Sequence, residues 1–272
     1  MKKAFPYRAL RESGCFRQHA RGRHKFIGKA GIPTGLCGRT GEDHNMSSYM
    51  PLQEKAYAYL KKQITGGKLE PNVVYSETKI AAEIGVSRTP MKDALVRLRQ
   101  DKYIDILPSR GFCLHVLREE DIRSTFQVRM AIEGFCALNL HAERDTRKGQ
   151  AALRKLAASI RDMERAISAD SGNAEILTHD IAFHNVIVLF SENPELIGLF
   201  ETFNHRLSTL ALNSLEQPGR AEQALLEHRR IYEAICAEDS GASGCLYAAV
   251  MDHMAAARDI NLALSKKGKA LI

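Results

Sequence analysis

Two short helical patterns meet at a glycine turn, and this junction constrains the fold more than any other part of the chain. The first pattern ends at Ile84, Gly85 makes the turn, and Ser87 caps the second pattern. Apolar residues recur at helical spacing along one face of the second pattern: Met91, Ala94, Leu95 and Leu98. Cationic residues occupy its other face: Arg88, Lys92 and Arg99. A short helix that is apolar behind and cationic in front fits the major groove of DNA.

The flanking segments predict a winged helix-turn-helix. A helical pattern over Leu52–Ile64 precedes the pair, and Ser76 is a suitable N-cap for the first helix of the pair. Two β-like runs follow, Tyr103–Leu107 and Phe112–Val116, and the four residues between them form a hairpin turn. Three helices followed by a two-stranded hairpin predict this fold over residues 50–117.

The rest of the chain, residues 118–272, has a helical pattern throughout. The predicted helices span 119–144, 146–169, 174–190, 194–213, 219–238 and 242–265. The fold class is therefore mainly α, a winged helix-turn-helix followed by an all-helical antiparallel bundle of about six to seven helices. Residues 1–49 form a basic extension that we expect to be disordered. An over-long gene start is the alternative, because Met46 and Met50 lie just before the first helical pattern.

Charge is distributed unevenly along the chain. Residues 1–45 hold 10 Lys and Arg against 3 Asp and Glu, and residues 50–118 hold 12 against 7. Residues 119–272 hold 17 against 22, so an acidic bundle follows a basic module. This asymmetry favours a DNA-facing domain joined to a domain with another task.

Composition argues against two other classes of protein. No apolar run approaches the roughly 20 residues that a membrane-spanning helix needs, so we expect a soluble protein. The six cysteines are scattered without paired spacing. This scatter argues against a zinc finger or a disulfide framework and favours reduced thiols in a cytoplasm.

The helix-turn-helix pattern places a small set of side chains where they can contact DNA. Arg88 can fork onto a guanine or a phosphate, and Lys92, one turn later, offers a point charge for the same task. Ser87 and Thr89 lie at the helix start, where hydroxyl and free N–H groups meet backbone phosphate. Arg110-Gly111 at the hairpin tip suits the minor groove. Each residue alone is more ordinarily a solvated surface group, but together they favour DNA binding.

These stretches resemble the GntR family of bacterial transcription regulators, over roughly residues 52–117. The matching segments are GKLEP from Gly67, AAEIGVSRTP from Ala81, ALVRL from Ala94 and RGF from Arg110. The match also includes Ser76-Glu77. The resemblance adds three residues at the start of the first helix of the pair to the expected DNA contacts: Ser76, Thr78 and Lys79.

The chain departs from the family pattern at several positions. Asn72 and Lys102 stand where glycine is usual; we expect Asn72 to tolerate left-handed backbone angles and Lys102 to be strained. Thr78 stands where many members have a basic residue, with Lys79 beside it. Lys92 stands where arginine is usual, which weakens the case for a bidentate base contact there.

Four residues of the helical remainder form a candidate ligand set for a metal ion. Asp180 and His184 are i, i+4 on one predicted helix, and His228 and His253 lie in two later ones. One carboxylate and three imidazoles suit a divalent ion such as Zn²⁺, Ni²⁺ or Mn²⁺. The spacing alone is a weak signal, because packed or surface histidines are the ordinary alternative.

The helical remainder also resembles the FCD ligand-sensing domain of the FadR-type branch, on Asp121-Ile122 and Val128–Glu133. Metal-binding FCD domains use an Asp-x-x-x-His pair followed by two histidines, so the resemblance implies a metal site at the four residues above. It also implies an effector contact by Arg129, whose alternative role is an ordinary salt bridge to Glu133.

Together these features predict a bacterial transcription regulator that is not an enzyme. A small organic acid that bridges the metal and Arg129 would change the spacing of two winged domains in a homodimer on palindromic operator DNA. Such a protein would be cytoplasmic and associated with the nucleoid when bound. Three alternatives stay open: a metal-free FCD regulator, a metal-dependent enzyme of small organic acids, and an architectural DNA binder without an effector.

Overall fold

The computed structural model describes residues 50–238 and 241–271. The predicted basic extension, residues 1–49, lies outside these residues. Within the described part of the chain, no helix combines the length and the apolar character that crossing a bilayer requires.

The N-terminal part of the described chain is a winged helix-turn-helix, as the sequence predicts. Its elements are α1 (Leu52–Thr65), α2 (Glu77–Ile84), α3 (Arg88–Gln100), β1 (Ile104–Leu107) and β2 (Gly111–Leu114). The two strands pair antiparallel, with Ile104 opposite Leu114. At the start of α2 the Ser76 hydroxyl accepts a hydrogen bond from the Lys79 N–H, and Gly85 ends the helix in the left-handed conformation.

The apolar face predicted for α3 is the face that packs into the core of this domain. Its buried residues are Met91, Ala94, Leu95 and Leu98. They pack with the inner face of α1 and with Phe112 of β2, which is fully buried. Burial of these side chains supplies the hydrophobic free energy that holds the two helices of the turn motif together.

Both positions where the chain lacks the usual glycine adopt left-handed backbone angles. Asn72 and Lys102 each have a φ of 62°. Asparagine accepts this conformation readily, whereas at lysine it costs about 1 kcal/mol or more. The Lys102 ammonium lies 3.5 Å from a carboxylate oxygen of Asp121, at the start of the helical domain.

The wing is anchored to the segment before α2 by a β-bridge between Tyr75 and Phe112, whose N–H and C=O groups bond reciprocally. Gly111, at the start of β2, passes close to this segment. A Cβ atom built on Gly111 would lie 2.1 Å from the carbonyl oxygen of Tyr75, and its φ is 125°. The packing of the wing therefore requires glycine here, independently of any contact with DNA.

The remaining described residues form a bundle of six helices, which confirms the predicted all-helical architecture. The helices are α4 (Glu119–Ala142), α5 (Arg147–Ser168), α6 (Asn173–Phe190), α7 (Pro194–Leu215), α8 (Arg220–Cys236) and α9 (Ala242–Lys266). Helix α4 packs against α6, α7, α8 and α9, while α5 covers α6 and α8. Large apolar side chains that are fully buried line this core: Ile122, Phe126, Leu140, Leu156, Phe183 and Ile187.

Polar and aromatic contacts join the winged domain to the bundle. The buried His115 ring lies within hydrogen-bond distance of Asp105 on β1 and of Asp121 on α4. The ring of Tyr103, just before β1, stacks on His205 of α7 with ring centroids 4.3 Å apart. Helix α7 therefore touches the segment that directly follows α3.

The geometry of Gly111 predicts a large loss of stability in Gly111→Ala. The added methyl group meets backbone rather than a movable side chain, so we expect the free energy of unfolding to fall by about 2 kcal/mol or more. Denaturant titration of the full chain measures this change. Gly198→Ala in helix α7 is the control, since nothing lies within 4 Å of its added methyl group and alanine favours the helix. Equal stability of the two variants would contradict the steric account.

Candidate functional site

The four predicted metal ligands come together in the middle of the helical bundle. Asp180 and His184 project from α6, His228 from α8 and His253 from α9, and all four are buried. Their potential ligand atoms all lie within 4.8 Å of one another. Residues that are far apart in the sequence thus form one compact polar cluster inside an apolar core.

The spacing of the ligand atoms matches that around a metal ion. The Nε2 atoms of His228 and His253 each lie 3.1 Å from the Nε2 atom of His184. An Oδ1 atom of Asp180 lies 3.4 Å from His228 Nε2 and 4.0 Å from His184 Nε2. An ion held 2.0–2.1 Å from each nitrogen places neighbouring nitrogens about 2.9–3.4 Å apart, depending on its geometry.

Two glutamates orient two of the histidine rings through the ring nitrogen that faces away from the cluster. His184 Nδ1 donates to Glu133 on α4 at 2.6 Å, and His253 Nδ1 donates to Glu227 on α8 at 2.7 Å. Because an ionised carboxylate only accepts hydrogen bonds, each contact places the ring proton on Nδ1 and leaves Nε2 with a bare lone pair. The two bare Nε2 atoms then face each other at 3.1 Å. Such an arrangement is repulsive unless a cation lies between them.

Glu133 and Glu227 were not predicted as members of the site. The sequence pairs Glu133 with Arg129, one helical turn earlier, and places Glu227 beside His228. Neither relation reveals the contact to a histidine on another helix, because that contact depends on how α4, α6, α8 and α9 pack. A glutamate one turn after a buried arginine was the only local signal.

Burial and neighbouring charges determine the ionisation of the cluster. Burial alone would raise the pKa of Glu133, but the Arg129 guanidinium and the His184 ring outweigh it and lower this pKa to about 2. Burial lowers the pKa of His228 well below its usual value, and neighbouring cationic groups add to the effect. The pKa of His253 is also lowered, chiefly by burial, although its bond to Glu227 opposes the change. For His228 and His253 the neutral imidazole, the form that binds metals, is thereby favoured.

Arg129 forms the salt bridge that the sequence suggested as its alternative role, and it also borders a cavity. Its Nε atom donates to Glu133 Oε1 at 2.6 Å, so the predicted salt bridge is present and buried. Among the described residues, this is the one hydrogen bond that its guanidinium makes. Arg129 also lines a cavity of about 20 Å³ next to the cluster. The other residues that line it are Asp180, Ile181, His184, Asn185, Phe200, Asn204, Leu207 and Ala211.

Helix α7 separates this small cavity from a larger one. A cavity of about 840 Å³ lies between the winged domain and α7, and it is lined by Tyr103 and His205 among others. Asn204 of α7 lines both cavities. One face of α7 therefore lines the cavity beside the candidate metal-ligand cluster, while a neighbouring face contacts the winged domain.

The residues predicted to contact DNA lie together on the winged domain and are largely exposed. Exposed members are Thr78, Lys79, Ser87, Arg88, Thr89, Lys92 and Arg110; Ser76 and Gly111 are partly buried. Ser76 serves as the N-cap of α2 and also contacts Thr78. Within the described residues, no acidic partner pairs with the cations of this set. By contrast, Arg97 on the same helix pairs with Glu54 at 2.7 Å and lies over the Tyr57 ring.

Comparisons with known proteins agree with this architecture. The family model described as "Bacterial regulatory proteins, gntR family" matches residues 52–114, and the model of the FCD domain matches residues 124–256. The chain is 28% identical over 194 residues to an uncharacterized HTH-type transcriptional regulator, YdhC, of Bacillus subtilis (strain 168), covering 71% of this chain and 85% of that protein. It is 26% identical over 188 residues to the gluconate operon transcriptional repressor of Bacillus licheniformis, covering 66% and 74%.

The structure also resembles solved structures. The E. coli McbR/YncC structure superposes with a TM-score of 0.54 at 19% sequence identity, covering 80% of this chain and 99% of that one. This likeness shows that the fold is shared.

Proposed function

Because the chain belongs to the GntR family of bacterial transcription regulators and carries an FCD domain, we propose that a small carboxylate bound at a metal ion in the bundle controls its affinity for operator DNA. GntR regulators bind operator DNA, typically as dimers. The family and the relatives are regulators rather than enzymes. The proposal thus concerns how this chain reads DNA and what regulates it.

The DNA-binding surface is proposed to be the exposed cationic face of the winged domain. Arg88 lies at the first turn of α3, the proposed recognition helix, where it would fork onto a guanine or a phosphate. Lys92, one turn later, would contact a phosphate. Lys79 on α2 and Arg110 on the wing extend the cationic face on either side of the recognition helix. A homodimer would present two such faces to the two halves of a palindromic operator.

The convergence of histidine lone pairs carries the proposal of a metal site. Asp180, His184, His228 and His253 would hold a divalent ion such as Zn²⁺, Ni²⁺ or Mn²⁺. Four protein ligands of this kind leave coordination positions open in an ion that accepts five or six. When bound, the ion supplies a Lewis-acidic charge to which a carboxylate can be attracted.

Arg129 and the size of the cavity define how an effector would act. The Nη groups of Arg129 are free to receive a carboxylate beside the ion. A cavity of about 20 Å³ holds little more than one water molecule, so even a small organic acid enters only if the walls move. One relative is named for the gluconate operon, and gluconate is such a carboxylate.

Helix α7 is the wall whose movement would reach the DNA-binding domain. Phe200, Leu207 and Ala211 face the cavity, while His205 stacks on Tyr103. An effector that displaces α7 would therefore shift Tyr103 and the end of the recognition helix. This movement would change the spacing of the two winged domains, provided that the effector binds one spacing more tightly than the other.

A metal-free regulator is the second candidate, because the same histidines could act as polar lining of an effector pocket. Elemental analysis of protein purified without a His-tag separates the two candidates. We expect about one equivalent of metal per chain, and His228→Ala should lower metal affinity at least about 100-fold. His179→Ala is the matched control, since His179 lies beside Asp180 but outside the cluster. If wild-type protein holds no stoichiometric metal even after incubation with Zn²⁺, the metal site is excluded.

The DNA-binding surface predicts different effects for neighbouring arginines. Arg88→Ala should weaken binding to an operator obtained by in vitro selection about tenfold to 100-fold, because a bidentate contact is lost. Lys92→Ala should lower the slope of log affinity against log salt concentration by about one. Arg97→Ala should change binding little, since Arg97 already pairs with Glu54. Fluorescence anisotropy over a salt series measures all three. Equal losses for Arg88→Ala and Arg97→Ala would contradict the assigned surface.

If displacement of α7 carries the signal to the winged domain, a larger side chain in the cavity beside Arg129 should mimic the effector. In Ala211→Leu the larger side chain should displace α7 and change operator affinity at least about fivefold without any added ligand. Ala249→Leu adds the same volume beside a different cavity, between α8 and α9, and should leave operator affinity unchanged. Adding His205→Ala to Ala211→Leu should restore the original affinity by removing the stack on Tyr103. No effect of Ala211→Leu in a stably folded protein would contradict this role of α7.

A further inference from the structure

Two buried chains of contacts run from an arginine through a glutamate to a histidine of the metal-ligand cluster. In the first, Arg129 Nε donates to Glu133 Oε1 at 2.6 Å, and His184 Nδ1 donates to Glu133 Oε2 at 2.6 Å. The three side chains are at most 5% exposed, so water does not compete for these bonds. Each oxygen of Glu133 thus serves one partner.

The second chain has the same order but a different connection. Arg220 Nη2 and His253 Nδ1 both donate to Glu227 Oε2, at 2.8 and 2.7 Å. Gln223 donates to the other oxygen of Glu227 at 3.2 Å, and Arg220 Nε donates to the Ser214 hydroxyl at 3.3 Å. Glu227 is therefore held from three sides.

The third histidine is supported in another way. The ring of His228 stacks on Phe183 with centroids 4.3 Å apart. Among the described residues, no carboxylate contacts its Nδ1 atom. The cluster thus combines two charged supports with one apolar support.

We infer that Arg129 and Arg220 are positioning residues of the metal centre, each acting through its glutamate on one histidine. This inference rests on the proposed metal site. A buried carboxylate without a counter-ion is costly, and it relieves that cost by turning away toward a more polar position. The histidine would then lose the acceptor that holds its Nδ1–H group and fixes the orientation of its ring. The arginine prevents this and so keeps Nε2 directed at the ion.

The two chains of contacts differ in whether a ligand in the small cavity can reach their arginine. Arg129 lines the cavity proposed for the effector, whereas Arg220 lines none of the cavities described above. An effector carboxylate that pairs with Arg129 would therefore change the contact of Arg129 with Glu133. Through Glu133 it would also affect the orientation of His184. Because coupling between two ligands is reciprocal, metal affinity and effector affinity would be linked through Glu133. The chain through Glu227 would stabilise the ion without this link.

Zinc affinity in a double-mutant cycle tests the inference without an effector. Full-length apo-protein competes with a chromogenic chelator for Zn²⁺. We expect Arg129→Gln and Glu133→Gln each to lower zinc affinity about tenfold to 100-fold. The double variant should bind no more weakly than the weaker single variant, because both substitutions break the same chain. Losses that multiply in the double variant would contradict action of Arg129 through Glu133.

A second cycle provides the comparison. Glu133→Gln and Glu227→Gln act on different histidines, so their losses should multiply in the double variant. Arg220→Gln should weaken zinc binding by a similar factor to Arg129→Gln. Arg229→Gln is the control, since Arg229 pairs with Glu164 at the surface and should bind zinc like wild type. The visible spectrum of bound Co²⁺ reports whether the coordination geometry changes as well.

The outcomes separate this inference from the proposed function. If wild-type protein binds no zinc, the metal site itself is wrong. If wild type binds zinc and the arginine variants bind it equally well, the metal site stands and the positioning role is wrong. Should Arg129→Gln fail to fold by circular dichroism, Arg129→Lys tests the same step, because lysine keeps the charge without the fork. Arg129→Lys should then show a smaller loss of zinc affinity, and zinc affinity equal to wild type would overturn the inference.

Discussion

The approach of two bare imidazole nitrogens inside a buried core is the interaction on which the rest of the bundle depends. His184 Nε2 and His253 Nε2 lie 3.1 Å apart, and each ring is fixed from behind by a glutamate. An apolar bundle gains nothing from such a cluster, and burying polar groups without compensation is costly. The helices that carry these residues therefore bring potential ligand atoms together where a bound cation would be stabilising. The fold and the proposed metal function explain each other.

The same arrangement links the ligand cluster to the winged domain. Helix α6 supplies two ligands, and α7 packs on α6 and closes the small cavity beside Arg129. Helix α7 then contacts the winged domain through His205 and Tyr103. The candidate ligand cluster inside the bundle and the winged domain are thus separated by a single helix. Displacing that helix by about the volume of one side chain on its cavity face would therefore move the face that contacts the winged domain.

Much of this architecture could be predicted from the sequence, because local patterns determine it. Helical spacing gave the buried face of α3, and the glycine turn and Ser76 cap gave the helix-turn-helix. The proposed metal ligands needed more than local patterns. The i, i+4 pair Asp180 and His184 is local, but joining His228 and His253 to it depended on a family resemblance. Glu133 and Glu227 could not be predicted, since their contacts to histidines exist only after four helices pack. Gly111 was predicted for its approach to DNA, yet the nearby Tyr75 carbonyl already requires it.

The small volume of the cavity beside Arg129 has a kinetic consequence. A site that admits little more than a water molecule cannot capture a metabolite at every collision. Binding of the proposed effector would wait for α7 to move, so its association rate would level off at high metabolite concentration and lie well below the diffusion limit. Release would be limited by the same movement, which would lengthen the lifetime of the bound state. The regulator would then average over brief metabolite pulses and respond only to sustained supply.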